Sequence, residues 1–273
     1  MTLTDRRGAL RAGAAAAFAG AAAGFLTNAC SGTEPDAARG GSEHRDPASR
    51  DPAPREPAPA PRPPDAPAPR RFPGLPVEIA SGPRDRPRVA LTFHGAGDPA
   101  LARAVLAEAE KGGARVTVLA VGEWLDAHPD LARRVLDGGH DLGNHTQRHL
   151  DVNAMTEDEA HAEIAACATR LRRLTGSIGT WFRPSRTQHA GAVVQRAARR
   201  AGYPHVLSYD VDSLDHTSPG AQAVVRNVAA RIHPGSVVSL HLGYADTLAA
   251  LPPLLADLDR RGLRAVTTTE LLT

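Results

Sequence analysis

The feature that most constrains the fold is a regular alternation of short apolar segments with helical patterns between residues 88 and 267. Strand-like segments such as RVALTF (88–93) and SVVSLH (236–241) are separated by helical patterns such as 99–112 and 156–175. Strands that alternate with helices pair in parallel through right-handed crossovers. The alternation therefore predicts a parallel α/β fold, and it is compatible with both an open doubly wound sheet and a (β/α) barrel. The other predicted strands are 115–122, 179–183, 205–212 and 263–267, and the other predicted helices are 130–136, 192–201, 220–232 and 247–261.

Residues 1–30 have the pattern of an export signal. Arg6 and Arg7 precede an uncharged, alanine-rich stretch from Ala12 to Leu26, which is shorter than the ~20 apolar residues that a transmembrane helix needs. The paired arginines favour the twin-arginine route, and a disordered N-terminal arm is the alternative. We therefore expect an exported protein, extracellular or at the cell surface.

Cys30 ends the segment LTNAC (26–30), which resembles a bacterial lipoprotein cleavage box, although Thr27 stands where leucine is usual. Lipidation of Cys30 would tether the domain to a membrane, and this is the one membrane contact that the sequence predicts. Cys167 is the second of the two cysteines. It lies in a helical pattern and is interpreted as a small buried hydrophobe, so no disulfide framework is expected.

Residues 31–76 read as a disordered linker rich in proline and alanine, centred on PAPREPAPAPRPPDAPAPRR (52–71). Repeated Ala-Pro disfavours helix and sheet and favours an extended spacer. The remaining residues, 77–273, suit one domain with a full core. The net charge of +2 gives no indication of a nucleic-acid partner.

Polar residues follow most of the predicted strands. The carboxyl ends of the strands in a parallel α/β fold share one rim, where ligands bind. Several ionisable side chains on that rim favour a metal site or an acid–base site over simple packing. The residues are His94, His145, Arg183, Asp212, Asp215 and His241.

The segment HTQRH places His145 and His149 four residues apart. Two imidazoles at this spacing lie on one face of a helical turn, or converge in a tight loop, and neutral imidazole is a good ligand for zinc. The pair is a weak signal on its own. A catalytic zinc usually has three protein ligands, so a third ligand is expected from the end of the first strand, either a carboxylate or a histidine.

Four motifs resemble, in order and spacing, those of the polysaccharide deacetylases, the NodB-homology family. They are GHDLGNHTQRHLD (139–151), WFRPS (181–185), VDSLD (211–215) and SVVSLH (236–241). The resemblance covers roughly residue 86 to the end. It implies a distorted (β/α) barrel of the NodB-homology type and metal-dependent removal of N- or O-linked acetyl groups from a carbohydrate polymer, with a cell-wall or extracellular glycan as the expected substrate.

The resemblance also implies a role for single residues. His145 and His149 fall on the family's metal histidines, and His241 falls on the general acid. Asp215 falls on the carboxylate that orients this acid, and Arg183 on the arginine that supports the base. These roles agree with general chemistry, because a metal polarises a carbonyl and a carboxylate favours the protonated form of a neighbouring imidazole.

The first motif departs from the family pattern. The family has Thr-Phe-Asp-Asp-Gly, where the first Asp is the base and the second is a metal ligand, but this chain has TFHGAG (92–97). His94 therefore replaces the base and Gly95 replaces the ligand. Because glycine turns freely, Asp98 could swing back to the metal, with His94 as the base.

Two other interpretations of HGAGD remain open. His94 could be the third metal ligand, with Asp98 or Asp212 as the base. Alternatively the metal site is lost and Asp98 only caps the helix that begins at Pro99. We predict a divalent metal, zinc in the first instance, on Asp98, His145 and His149, and a non-catalytic glycan-binding module on a degenerate deacetylase fold is the alternative. The predicted catalytic residues are His94, His241, Asp215, Arg183 and Asp212.

Overall fold

The computed structural model describes residues 66–273. The predicted signal peptide, Cys30 and most of the predicted linker lie outside the described residues. The strands are β1 (Glu78–Ile79), β2 (Arg88–Gly95), β3 (Thr117–Ala120), β4 (Asp141–Asn144), β5 (Val206–Leu207), β6 (Val211–Asp212), β7 (Val237–His241) and β8 (Arg264–Val266). The helices are α1 (Pro99–Lys111), α2 (Gly122–Ala127), α3 (Asp130–Asp137), α4 (Glu157–Thr175), α5 (Ala192–Arg200), α6 (Ala221–Ala229), α7 (Ala245–Arg260) and α8 (Thr268–Leu271).

The strands form a distorted parallel barrel. The main sheet has the order β4-β3-β2-β7-β6, β8 pairs with the first residues of β2, and every pairing between these strands is parallel. Phe182 links Asn144 of β4 to Val206 of β5 by isolated bridges, and β5 pairs with β1. The predicted parallel α/β fold is confirmed, and the sheet takes the barrel rather than the open form.

The barrel is distorted where two predicted strands break. The predicted strand 179–183 is reduced to the bridge at Phe182, because Gly179 has a φ of +87° and Pro184 has no N–H to donate to a ladder. The predicted strand 205–212 divides into β5 and β6. The division occurs because β5 pairs with β1 and β6 pairs with β7.

The helices surround the barrel and bury one face each. Buried side chains of α1, α3, α4, α6 and α7 pack against apolar strand residues such as Leu91, Phe93 and Leu240. Cys167 of α4 is part of this core and its thiol is free, in agreement with its interpretation as a small hydrophobe. Burial raises the pKa of this thiol to about 12. No helix between residues 66 and 273 is both long enough and apolar enough to cross a membrane.

The last part of the predicted linker, residues 66–76, lies against the barrel. The ring of Phe72 stacks on Trp181 with the centroids 5.5 Å apart and the planes at 12°. The backbone N–H of Phe72 donates to Nε2 of His205 at 3.0 Å, and Leu75 packs on the same apolar cluster. The predicted boundary at residue 77 is therefore too late, because Phe72 and Leu75 add the apolar side chains that the Ala-Pro repeat lacks.

Candidate active site

Three histidines meet at the carboxyl end of the barrel. His94 and His241 are direct partners across β2 and β7, and their ring centroids are 4.4 Å apart. His145 follows β4, and its ring centroid is also 4.4 Å from that of His94. The structure thus brings together strand ends that are distant in the sequence, as the shared rim of parallel strands requires.

His145 is fully buried and has a defined tautomer. Its Nδ1 lies 3.0 Å from the carbonyl oxygen of Arg183, and a carbonyl can only accept, so Nδ1 carries the hydrogen. Its Nε2 is buried without a hydrogen-bond partner. Burial holds the pKa of His145 well below its usual range, with the neighbouring His149 adding to the effect. A neutral imidazole with a free Nε2 lone pair and an anchored Nδ1 is the state that binds a metal.

His149 is held beside His145 by a strained loop. The two ring centroids are 4.9 Å apart. Thr146 and His149 both have positive φ, 67° and 56°, which is unusual for residues other than glycine and costly for a β-branched one. The loop keeps this shape because the Thr146 N–H donates to Oδ1 of Asn144 at 2.9 Å and the His149 N–H donates to Oγ1 of Thr146 at 3.2 Å. The loop therefore keeps the two candidate metal ligands, His145 and His149, side by side.

His94 is bound to Arg183 through its only lone pair. Nη1 of Arg183 lies 3.2 Å from Nε2 of His94, and because a guanidinium only donates, Nε2 accepts. A neutral imidazole has one such lone pair. Burial lowers the pKa of His94 well below its usual range, and the nearby imidazoles of His145 and His241 lower it further. In this arrangement His94 has no free nitrogen for a metal or for a proton, which argues against both of its predicted roles.

Arg183 is the buried centre of this network. It has no exposed surface, and it donates to the carbonyl oxygens of Leu207 at 3.1 Å and Ser208 at 2.9 Å. Burial lowers the pKa of Arg183 to about 9, so the guanidinium remains charged at neutral pH. Its carbon Cζ lies 5.3 Å from the centre of the Tyr209 ring. The structure therefore places Arg183 behind His94, where it orients this imidazole.

Asp98 does not join His145 and His149 in the structure. It is exposed and caps α1, with Oδ1 accepting from the Ala100 N–H at 2.8 Å. The glycines before it serve close packing, because a Cβ on Gly97 would lie 2.6 Å from Cα of Gly243. The structure thus does not bring Asp98 to His145 and His149, and the predicted set of three ligands stays a prediction. The physical reason is that the Asp98 carboxylate satisfies the first turn of a helix.

Asp215 holds His241. Its Oδ1 accepts from Nδ1 of His241 at 2.7 Å, and its Oδ2 accepts from the His241 N–H at 2.7 Å and from the Thr247 hydroxyl at 2.5 Å. Burial alone would raise the pKa of Asp215, but the hydrogen bonds from His241 and Thr247 outweigh it and the pKa lies below its usual range. Thr247 was missed by sequence reasoning, because nothing local in α7 indicates a partner 32 residues earlier in the chain.

Within residues 66–273, one group of three potential ligand side chains has all its ligand atoms within 4.8 Å of one another, namely Asp215, His216 and His241. The carboxylate of Asp215 already accepts hydrogen bonds on both oxygens, and His216 is exposed. The proximity of these three side chains is therefore explained by the role of Asp215 in orienting His241. The unpartnered Nε2 of His145 is the stronger indication of a metal.

A cavity of about 410 Å³ opens in front of these residues. Asp212 is the carboxylate among its lining residues, and its Oδ1 accepts from the Leu214 N–H at 3.0 Å. A larger cavity of about 700 Å³ lies between residues 66–70 and the start of β4. That cavity is lined by a single histidine, His140, and none of the predicted site residues reaches it, so the smaller cavity is the candidate active site. The other side chains lining it are His94, His149, Arg186, Thr187, Gln188, Tyr209, His216, Ser239, His241 and Tyr244.

Gly95 stands where the family carries a metal-binding aspartate, and the obvious repair, Gly95→Asp, is expected to fail. A Cβ at this position would lie 3.0 Å from Cα of Ala120 and Cγ1 of Val118 and 3.1 Å from Cζ3 of Trp124. The position faces away from His94, because successive residues of a strand point to opposite sides. We expect Gly95→Asp to destabilise the domain by about 1–3 kcal/mol without raising zinc affinity, as measured by urea unfolding and zinc titration. Gly95→Ala is the matched control for steric effects, and tighter zinc binding by the aspartate variant would contradict this geometry.

The buried histidines make the metal-free domain sensitive to acid. The pKa values of His94 and His145 are lowered in the folded state, so below about pH 6.5 the unfolded chain takes up protons that the folded chain does not. The free energy of unfolding is therefore highest above about pH 6.5, and it falls as the pH drops below this value. Each such group contributes a slope of about 1.4 kcal/mol per pH unit. Urea unfolding in the presence of a chelator, repeated at pH values between 7.5 and 5.0, measures this slope. The substitution His145→Gln should make the slope shallower. Equal slopes for the two proteins would show that His145 is not responsible.

The barrel fold, together with the family and the relatives that the chain matches, defines the class of carbohydrate deacetylases, hydrolases that act on carbon–nitrogen bonds other than peptide bonds. Residues 81–206 match the family model described as polysaccharide deacetylase. A peptidoglycan-N-acetylglucosamine deacetylase of Bacillus cereus is 31% identical over 194 residues, which cover 70% of this chain and 90% of that protein. The chain belongs to the polysaccharide deacetylase family, as its motifs predict.

Solved structures have the same fold. The Bc1960 peptidoglycan N-acetylglucosamine deacetylase superimposes with a TM-score of 0.67 at 26% identity, covering 72% of this chain and 92% of that one. A CE4 family pseudoenzyme from Bacillus anthracis superimposes with a TM-score of 0.69 at 23% identity, covering 73% of this chain and 70% of that one. At this identity the second likeness concerns the fold alone. The prediction of a NodB-type barrel is confirmed.

Proposed function

We propose that this protein is a divalent-metal-dependent deacetylase of a carbohydrate polymer, a cell-wall or extracellular glycan, with His145 and His149 as its metal ligands. The observation that carries the proposal is the buried, unpartnered Nε2 of His145 beside His149. A buried polar atom without a partner costs about 1–3 kcal/mol, and a bound zinc ion would satisfy it. Such an ion supplies polarisation of the acetyl carbonyl and activation of water. The peptidoglycan deacetylases among the relatives support the choice of substrate.

We assign the role of base to Asp212. It lines the cavity together with His149 and His241, and the hydrogen bond from Leu214 occupies only Oδ1, which leaves Oδ2 to accept a proton from water. The charge of Asp212 also stabilises the buried guanidinium of Arg183. His94 then contributes as a neutral side chain that fills the space between Arg183 and the cavity.

His241 is the proton donor to the leaving group in this proposal. Asp215 engages Nδ1 and the backbone N–H of His241, so the ring is fixed in orientation and Nε2 is the nitrogen left to protonate the leaving amine or alcohol. Thr247 holds the second oxygen of Asp215 and keeps the carboxylate from turning away. The chain thus supplies an acid and a base, and each is oriented by a separate partner.

The substitution Asp215→Asn tests this assignment. An amide in place of the carboxylate presents an N–H where Nδ1 must donate, and the equivalent change in a serine protease triad lowers kcat about 10⁴-fold. We expect a loss of kcat of about 10³–10⁴-fold, measured as acetate released from N-acetylated glycan oligomers, with zinc content unchanged. Unchanged turnover would remove His241 from the role of acid. Loss of zinc in this variant would mean that Asp215 supports the metal site instead.

A glycan-binding module without catalysis is the second candidate. One observation favours it: in the described part of the chain no carboxylate completes the ligand set of His145 and His149. This candidate predicts saccharide binding without acetate release at any zinc concentration. Acetate release that rises with added zinc and stops with a chelator supports the deacetylase and excludes the module.

Export and anchoring complete the proposal. We infer that residues 1–30 direct export and that Cys30 carries a lipid, so that a linker rich in proline and alanine extends the barrel away from the membrane. A surface location suits a polymeric substrate that remains outside the cell. Radioactive palmitate incorporated in growing cells and lost in Cys30→Ala tests the anchor.

A further inference from the structure

The cavity of the proposed active site has one permanent cation in its lining. Arg186 is exposed and lines the cavity with His149, Asp212 and His241. Among residues 66–273 its guanidinium has no carboxylate within 4.0 Å, so it forms no ion pair there. Arginine is charged at every physiological pH. The cavity therefore carries a fixed positive charge that forms no ion pair with Asp212, the carboxylate in the same lining.

The backbone at Arg186 is held in an unusual conformation. Its φ is +58°, in the left-handed region that costs a residue with a Cβ about 1–2 kcal/mol. Ser185 is anchored on one side, since its hydroxyl donates to the Leu150 carbonyl and accepts from Oγ1 of Thr146 at 3.1 Å. Thr187 is anchored on the other side, where its Oγ1 accepts from Nδ2 of Asn153 at 3.1 Å. The base of the Arg186 side chain is thus fixed while its charged end is available to a ligand.

The second arginine at the site has a different function. Arg183 has no exposed surface and donates to Leu207, Ser208 and His94, so a ligand in the cavity does not reach it. Arg186 and Asp212 line the same cavity but do not pair within 4.0 Å. A neutral N-acetylated sugar has no group that requires a cation. A carboxylate does, because guanidinium and carboxylate form paired, charge-assisted hydrogen bonds.

We propose that Arg186 binds a carboxylate on the glycan, so that the preferred substrate is an N-acetylated glycan with an acidic sugar beside the acetylated one. This inference rests on the proposed function and specifies its substrate. Arg186 is a specificity-determining residue in this proposal and takes no part in the proton transfers.

The test compares two ligands that differ at one group, a charged carboxylate or its neutral methyl amide. The acidic ligand is the disaccharide of N-acetylglucosamine and N-acetylmuramic acid with its carboxylate free, and the neutral ligand is the methyl amide of the same disaccharide. Isothermal titration of the full chain measures binding, and acetate release is measured in parallel. We expect the acidic ligand to bind about tenfold more tightly at low salt, with a preference that shrinks as salt screens the charge. Arg186→Gln should remove the preference for the acidic ligand. Arg199 is an exposed arginine of α5 outside the cavity, and Arg199→Gln should keep the preference.

Each outcome decides the proposal. Equal binding of the two ligands, or binding of neither, overturns the role of Arg186, as does loss of the preference in Arg199→Gln. Equal acetate release from both ligands, without preference in binding, overturns the inference and leaves the deacetylase function standing. A preference in binding that depends on Arg186, without acetate release, supports the inference and counts against the hydrolytic function.

Discussion

Replacing His145 with alanine is expected to abolish metal binding and, with it, acetate release. His145 offers a buried Nε2 with no other partner, and the Arg183 carbonyl fixes its tautomer. With two protein ligands in the proposed site, loss of one leaves a single imidazole, which does not retain a zinc ion at micromolar concentrations. The zinc content, measured by elemental mass spectrometry after reloading with zinc, should fall from about one ion per chain to none.

The control for this experiment is His128→Ala, because His128 lies outside the cavity. It should keep both the metal and the activity. His149→Ala should resemble His145→Ala, since the two rings are neighbours with centroids 4.9 Å apart. Full metal content in both ligand variants would place the metal elsewhere, with Asp215, His216 and His241 as the next group to test.

Replacing Arg183 with methionine is expected to destabilise the domain by about 3–5 kcal/mol. The substitution leaves the buried carbonyl oxygens of Leu207 and Ser208 and Nε2 of His94 without their donor, and each unsatisfied buried group costs about 1–3 kcal/mol. Removal of the buried charge recovers part of this cost. Urea unfolding of the metal-free protein gives the free energy directly.

Arg103→Met is the matched control for Arg183→Met. Arg103 pairs with Asp130 on the surface, where the two side chains are 45% and 62% exposed, and such pairs contribute at most about 1 kcal/mol. Arg183→Lys should also be costly, because an ammonium cannot reproduce the planar set of donors that reaches three acceptors. A loss for Arg183→Met no larger than that for Arg103→Met would show that the buried network does not stabilise the barrel.

His94 stands where the family carries a carboxylate, and the two groups differ in the number of lone pairs that can accept a proton. A carboxylate has two oxygens, so one can accept from an arginine while the other takes a proton. A neutral imidazole has one accepting nitrogen, and in this chain Arg183 occupies it. In the proposed mechanism another side chain therefore acts as the base, and Asp212 is the carboxylate in the cavity lining.

The sequence by itself determined the class of fold, and it named most residues of the candidate site. The alternation of strands and helices predicted the parallel sheet, and the order of the motifs placed His145, Arg183, Asp215 and His241 on strand ends that share a rim. These features are readable because periodicity and strand position are local properties of a chain. The packing of residues 66–76 was not readable, because it depends on Trp181 and His205, which are distant in the sequence.

Only the tertiary structure decided what the residues of HGAGD contact. Gly97 is needed for its approach to Gly243 of a distant loop, and Asp98 caps a helix instead of reaching the histidines. The lone pair of His94 is taken by Arg183, 89 residues further along the chain. A sequence motif shows which chemical groups are present. Which of their atoms remain free for chemistry depends on hydrogen-bond partners that only folding brings together.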